Sequence, residues 1–207
     1  MSRPVEFDTE KAVDKALLLF WRKGYQATSL AELLEAMGIS RSSFYAAYGD
    51  KRSLFLVCLD RFADRTQDLL QQARKSMAPL EALQFFFEDH LERPARGKTN
   101  LGCMMVNAIL EMSNVDEGLS ERASRRLADM ERLFRETLCD AGCSAAEAQE
   151  LAAMLMLLNE GVRVSSRRRL SVAAQRAPIT TTFAMLRRQF GSPARSASAR
   201  ASVQRGP

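Results

Sequence analysis

The residues of this chain best suited to chemistry on a partner crowd near its start: Thr28, Ser29, Ser40, Arg41, Ser42, Ser43, Tyr45 and Lys51. They carry hydroxyls, one guanidinium and one ammonium, groups that donate hydrogen bonds to phosphate oxygens and to the edges of nucleic-acid bases. His90 is the only histidine, which excludes a His-dependent triad and a multi-histidine metal site. The glycines stand apart, so neither a dinucleotide fingerprint nor a P-loop can be written. Cys139 and Cys143 are spaced for one helix face, but Gly142 breaks the helix between them and no histidine lies nearby. No cofactor and no metal is implied, and no enzyme activity is expected.

Those polar groups need elements to hold them. Asp8 is a candidate N-cap for a helix Thr9–Lys23 with Gly24 as its stop, and Val13, Ala16, Leu17 and Phe20 share one face of it. Ser29-Leu30-Ala31-Glu32 reads as a capping box opening a short second helix, with Leu30, Leu33, Leu34 and Met37 at helical spacing. Gly38 breaks it, Ile39 fills the turn, and Ser40 caps a third helix, Arg41–Tyr48. That helix turns Arg41, Ser42, Ser43 and Tyr45 outward and Phe44 and Tyr48 inward. Short helices joined by a glycine turn make a helix-turn-helix, whose last helix enters the major groove.

Longer helices follow. The spacing predicts Lys51–Met77, with Phe55, Cys58, Leu59 and Phe62 on one face, then Pro79 through His90, and a loop Arg93–Lys98. Further helices are predicted over Asn100–Asn114, Gly118–Asp140 and Ala145–Arg168, with a last one starting at Pro178 and ending near Phe190. The expected fold is therefore all-α with about nine helices. It divides into a helix-turn-helix domain over 1–52, a larger helical domain over 53–190 and a disordered basic tail over 191–207.

Charge gives little help. The formal net charge is +5, yet Met1–Asp60 holds eight bases and eight acids. An electrostatic footprint must come from where the bases sit and not from their number. No apolar run reaches the ~18–20 residues of a membrane span, and the first residues lack the apolar stretch of a secretory signal. A cytoplasmic protein with four reduced cysteines and no membrane partner is expected.

Ala16-Leu17-Leu18-Leu19-Phe20, Gly24-Tyr25, Thr28-Ser29, Ala31, Gly38-Ile39-Ser40, Phe44-Tyr45 and Lys51, in that order and spacing, resemble the signature of TetR-family regulators. Phe44 departs from the usual leucine, and Ala46-Ala47-Tyr48 replaces a frequent His-aromatic pair, so no operator preference carries over. The resemblance implies a homodimer on pseudo-palindromic double-stranded operator DNA, and a larger domain that binds a small-molecule effector. It makes Tyr45 and Lys51 contacts to the DNA backbone. Thr28 and Ser29, at a helix N-terminus, suit a phosphate; Arg41 suits a guanine edge; Ser42 and Ser43 suit either. Ser29 and Ser40 read equally well as plain caps, Tyr45 as packing, and Arg41 as a phosphate contact alone.

By the same resemblance the last two helices are the dimer candidates. Leu151, Met154, Leu155, Leu158 and Val162 form one apolar stripe, and Phe183, Leu186 and Phe190 another; both also read as monomer core. Phe86, Cys103, Met104, Asn107 and Glu111 are candidates for the effector site, within a Phe- and Met-rich stretch (Phe85, Phe87, Met105, Met112, Met156) that equally makes an ordinary core. Gly102-Cys103-Met104-Met105-Val106-Asn107 with Glu111 resembles a segment of TetR-like regulators that answer electrophiles or oxidants. Cys103 falls near a helix N-terminus, just after Arg96 and Lys98, and its alternative is a small buried apolar residue. The expected function is a repressor released from its operator by an effector. The alternatives are a TetR-like activator and an all-helical protein-interaction module using Arg167-Arg168-Arg169 and the basic tail.

Overall fold

The computed structural model describes residues 8–92, 101–168 and 170–190. The predicted loop Arg93–Lys98, the residue Arg169 and the predicted tail 191–207 lie outside the described residues. Within them the chain forms α1 (Thr9–Lys23), α2 (Leu30–Met37), α3 (Arg41–Tyr48), α4 (Lys51–Ser76), α5 (Pro79–Glu92), α6 (Met104–Met112), α7 (Glu117–Asp140), α8 (Ala145–Ser165) and α9 (Val172–Phe190). All are helices, so the all-α expectation holds. The chain separates into two compact units, Met1–Arg65 with Cys103–Leu127, and Thr66–Gly102 with Ala128–Pro207. The division falls inside α4 and α7, and the first unit takes α6 in addition to the predicted helix-turn-helix.

In the first unit the local signals act as written. The Asp8 carboxylate accepts from the Lys11 N–H at 3.1 Å, and the Ser29–Glu32 capping box forms in both directions. Ser40 accepts from the Ser43 N–H at 3.1 Å, so α3 starts where the sequence predicts. Val13, Ala16, Leu17 and Phe20 of α1 are buried, as are Leu33, Met37, Phe44, Leu54, Phe55, Cys58 and Leu59. Phe20 meets Phe55 edge-on at 4.9 Å, and Trp21 meets Phe62 in the same manner at 4.9 Å. Ion pairs join the helices of this unit: Arg61 to Glu10 and Asp14 between α4 and α1, and Arg122 to Asp60 between α7 and α4.

The second unit is built on phenylalanine. Phe86 and Phe87 of α5 pack on Phe134 of α7 at 5.4 and 5.6 Å, and Phe87 meets Phe183 of α9 at 5.4 Å. All four rings are essentially buried.

Two predicted helix starts need correction, and the eighth helix ends at Ser165 and not at Arg168. The last helix begins at Val172 and not at Pro178, because Ser171 caps it: its hydroxyl accepts from the Ala174 N–H at 3.2 Å. Pro178 then lies inside α9 at an exposed position. The sixth helix starts at Met104 and not at Asn100. Gly102 takes φ +76°, a left-handed value that ends helical continuation and leaves Cys103 as the N-cap.

Candidate nucleic-acid interface

Helix α3 holds most of the candidate contact residues. Phe44 is fully buried and anchors the helix, while Arg41, Ser42, Tyr45, Ala46 and Ala47 are exposed. Tyr45 stands 47 % exposed with its ring edge-on to Phe44 at 5.5 Å, so it both packs and presents its hydroxyl. The Ser40 hydroxyl lies 2.9 Å from those of Ser42 and of Ser43, a small cluster at the start of the helix. Ser29 is exposed but engaged by Glu32, whose carboxylate accepts from its hydroxyl and its N–H at 2.9 Å. Lys23, then Ser29, hold the Glu32 carboxyl down to about 2.

Thr28 requires a correction. It is wholly buried, and its hydroxyl donates to the Gly24 carbonyl at 2.6 Å. The hydroxyl therefore closes the turn after α1 and is not presented to a phosphate.

Lys51 is half-buried at the first position of α4, with its ammonium 4.4 Å from the centroid of the Tyr25 ring. Burial pushes its amine below the ordinary lysine value, while Glu111 and Glu32 pull in the opposite direction. Tyr25 packs in turn on Phe55 at 5.0 Å. The Lys51–Tyr25 pairing escaped the sequence reading, although Gly24-Tyr25 stood in the motif, because a contact between a turn and a distant helix leaves no periodic trace.

The balanced charge of the first sixty residues also finds its explanation. Glu10, Asp14 and Asp60 are neutralised by Arg61, Arg65 and Arg122, all from later in the chain. Burial raises the Asp14 carboxyl, and its hydrogen bonds to Arg65 and Arg61 outweigh that and leave it below its usual range. Arg41 and Lys51 have no carboxylate ion pair among the described residues. Placement, not net charge, leaves the cations available.

The effector candidates divide between the units. Phe86 belongs to the second, fully buried in the phenylalanine cluster with the Arg163 guanidinium 5.5 Å from its ring. Cys103 and Met104, 3 % and 2 % exposed, belong to the first, as do half-buried Asn107 and Glu111. Glu111 is committed elsewhere than predicted: its carboxylate accepts from the Tyr25 N–H at 2.9 Å and the Gln26 N–H at 2.8 Å. Both its oxygens are occupied by backbone of the turn after α1, so it is not a free polar group awaiting an effector.

Of the dimer candidates, Phe183 and Val162 are protomer core, and Leu155 and Leu186 are buried, because α9 turns Phe183 toward Phe87. Leu151 and Leu158 are half-buried and line an open apolar groove of about 390 Å³ between α8 and α9 with Met154 and Met185. Met154, Leu157 and Met185 are 65, 70 and 64 % exposed; Leu157 and Met185 were missed by the predicted stripes. No described helix is long and apolar enough to cross a membrane.

Comparison with known proteins agrees with this geometry. Residues 12–58 match the family described as bacterial regulatory proteins of the tetR family, and residues 79–177 match the C-terminal domain of LmrA/YxaF-like transcriptional regulators. The HTH-type transcriptional repressor ComR of Escherichia coli K12 is 31 % identical over 172 residues, covering 80 % of this chain and 82 % of that protein. A cysteine mutant of the TetR-family regulator CifR, solved with 26-bp operator DNA, matches with a TM-score of 0.73 at 27 % identity. The match spans 88 % of this chain and 98 % of CifR. SCO4454 of Streptomyces coelicolor, 16 % identical with a TM-score of 0.76 over 88 % of this chain and 95 % of its own, has the same fold. The chain belongs to the TetR family and is a DNA-binding transcriptional regulator.

Proposed function

We propose that this regulator is a homodimeric repressor that occupies a pseudo-palindromic operator and leaves it when a small effector binds its helical domain. The observation that carries the reading is α3, a capped helix anchored by Phe44 with Arg41, Ser42 and Tyr45 exposed. Arg41 reads a base edge, Ser42 and Ser43 bond bases or phosphates, and Tyr45 and Lys51 hold phosphates. The repressor sense follows the ComR likeness. The exposed Met154, Leu157 and Met185 support a dimer through α8 and α9, which would set two copies of α3 about 34–36 Å apart.

The test is binding of the purified chain to DNA flanking its own gene, followed by fluorescence anisotropy across salt. One preferred sequence and a steep salt slope are expected; equal binding to all DNA overturns the reading. Arg41→Ala should lower affinity for that sequence by about 1–3 kcal/mol and leave random DNA nearly unchanged. An equal loss on both assigns Arg41 to phosphate.

The effector class we read as electrophilic or oxidant rests on Cys103, the N-cap of α6, which makes no side-chain capping bond. Cys103→Ser should keep operator binding and lose release by a small thiol-reactive compound. Release unchanged in that variant removes the thiol from the mechanism.

A further inference from the structure

Glu111 stands at the end of α6 and contacts the turn that follows α1, far from it in sequence. Tyr25 and Gln26 present two successive N–H groups there, a small concavity of donors that suits an anion. The Glu111 carboxylate fills it with two charge-assisted hydrogen bonds. Gly24 is required for this approach. A Cβ at that position would lie 2.7 Å from one Glu111 oxygen and 3.0 Å from the other. The turn so fixed carries the Tyr25 ring, which lies under the Lys51 ammonium and against Phe55.

We infer that Glu111 is a positioning residue for operator binding: by holding the Tyr25–Gln26 backbone it sets the Tyr25 ring and, through that ring, the place from which Lys51 meets phosphate. The chain of contact is continuous, from carboxylate to backbone amides, from the same residue's ring to the ammonium. A glutamate so close to a DNA-facing lysine would weaken binding if its charge alone mattered. Its geometry gives it the opposite effect. The inference rests on the reading of Lys51 as a phosphate contact.

The experiment uses full-length Glu111→Gln, Glu111→Asp, Lys51→Ala and the Glu111→Gln/Lys51→Ala double variant on the preferred sequence. Glu111→Gln keeps the shape and loses the charge and one acceptor; Glu111→Asp keeps the charge and loses the reach. Both should weaken binding about five- to tenfold and lower the salt slope by about one phosphate contact, as Lys51→Ala does. The double variant should be no weaker than Lys51→Ala. Thermal melts identify any variant that is merely unfolded at the assay temperature, and a purely structural role would lower melting without changing the salt slope. Tighter or unchanged binding in Glu111→Gln overturns the inference, as does a full additive loss in the double variant. If Lys51→Ala itself binds normally, the Lys51 reading fails and the inference falls with it. A loss in Lys51→Ala beside none in Glu111→Gln condemns the inference alone.

Discussion

In the first unit, charged side chains join the helices: Arg61 bridges α4 to Glu10 and Asp14 of α1, Arg122 bridges α7 to Asp60 of α4, and Glu111 of α6 grips backbone amides after α1. In the second, four phenylalanines from α5, α7 and α9 meet in a buried cluster, and Met154, Leu157 and Met185 of α8 and α9 are exposed. Ion pairs also cross helices of the second unit, Arg74 to Asp140 and Arg176 to Glu88, so the difference is one of degree. A unit that meets DNA needs exposed cations without neutralising neighbours, so its acids are tied up in partially solvated pairs. Such pairs add modest stability, about 1 kcal/mol each or less. In the proposed dimer, the exposed methionines of the second unit would be covered by the partner.

Substitution in the second unit should produce the largest effects, and of two different kinds. Phe183→Ala removes a fully buried ring and should cost about 3–5 kcal/mol of stability, read as a large fall in melting temperature. Met185→Glu, two residues away but exposed, should leave protomer helicity intact and shift the chain to monomer in sedimentation. Operator affinity should then fall by about a hundredfold or more as bivalent binding is lost. A dimer unaffected by Met185→Glu would move the interface away from this face, and a mild Phe183→Ala would show the phenylalanine cluster to be less decisive than its burial implies.

Acid should separate the units more gently. In the first, Glu32 is held down to about 2, and Asp14 and Asp116 are held below their usual range by Arg65, Arg61 and Arg52. A carboxyl lowered in the folded state stabilises it above the unfolded value, and that contribution disappears as pH falls from about 4.5 toward 2. In the second, burial and then Glu131 raise the Glu160 carboxyl, so protonation there relieves a cost and stability rises as pH falls through its folded value toward the ordinary 4.5. Trp21, the sole tryptophan, reports the first unit through its contact with Phe62. Its fluorescence should change at higher pH than far-ultraviolet helicity during acid titration. Coincident transitions would mean that the two units lose structure together despite their different bonding.

The parts legible in the sequence were those governed by neighbours along the chain. Asp8, Ser29 and Ser40 acted as caps, and α1, α2 and α3 took their predicted bounds, because capping and helical periodicity depend on groups three or four residues apart. One local signal misled. Pro178 looked like a helix start, but Ser171 supplies the cap and the helix runs through the proline. The exposed residues of α3 were readable for the same reason as its caps. Their target sequence was not, because Ala46 and Ala47 offer no base-reading group and operator choice is then left to few contacts.

By itself, then, the sequence determined an all-α regulator of the TetR family, the bounds of α3 and the cap that starts it, since each is written in short-range spacing. Only tertiary structure decided which apolar residues are core and which are surface. Phe183 and Met185 lie on the same helix in similar company, and a packing partner on α5 separates them. Only tertiary structure revealed that Thr28 closes a turn, that Lys51 stands on Tyr25, and that Glu111 spends its carboxylate on Tyr25 and Gln26. Each of the last two is a contact between residues distant along the chain, and no periodicity encodes which donor a side chain will find once the helices have packed.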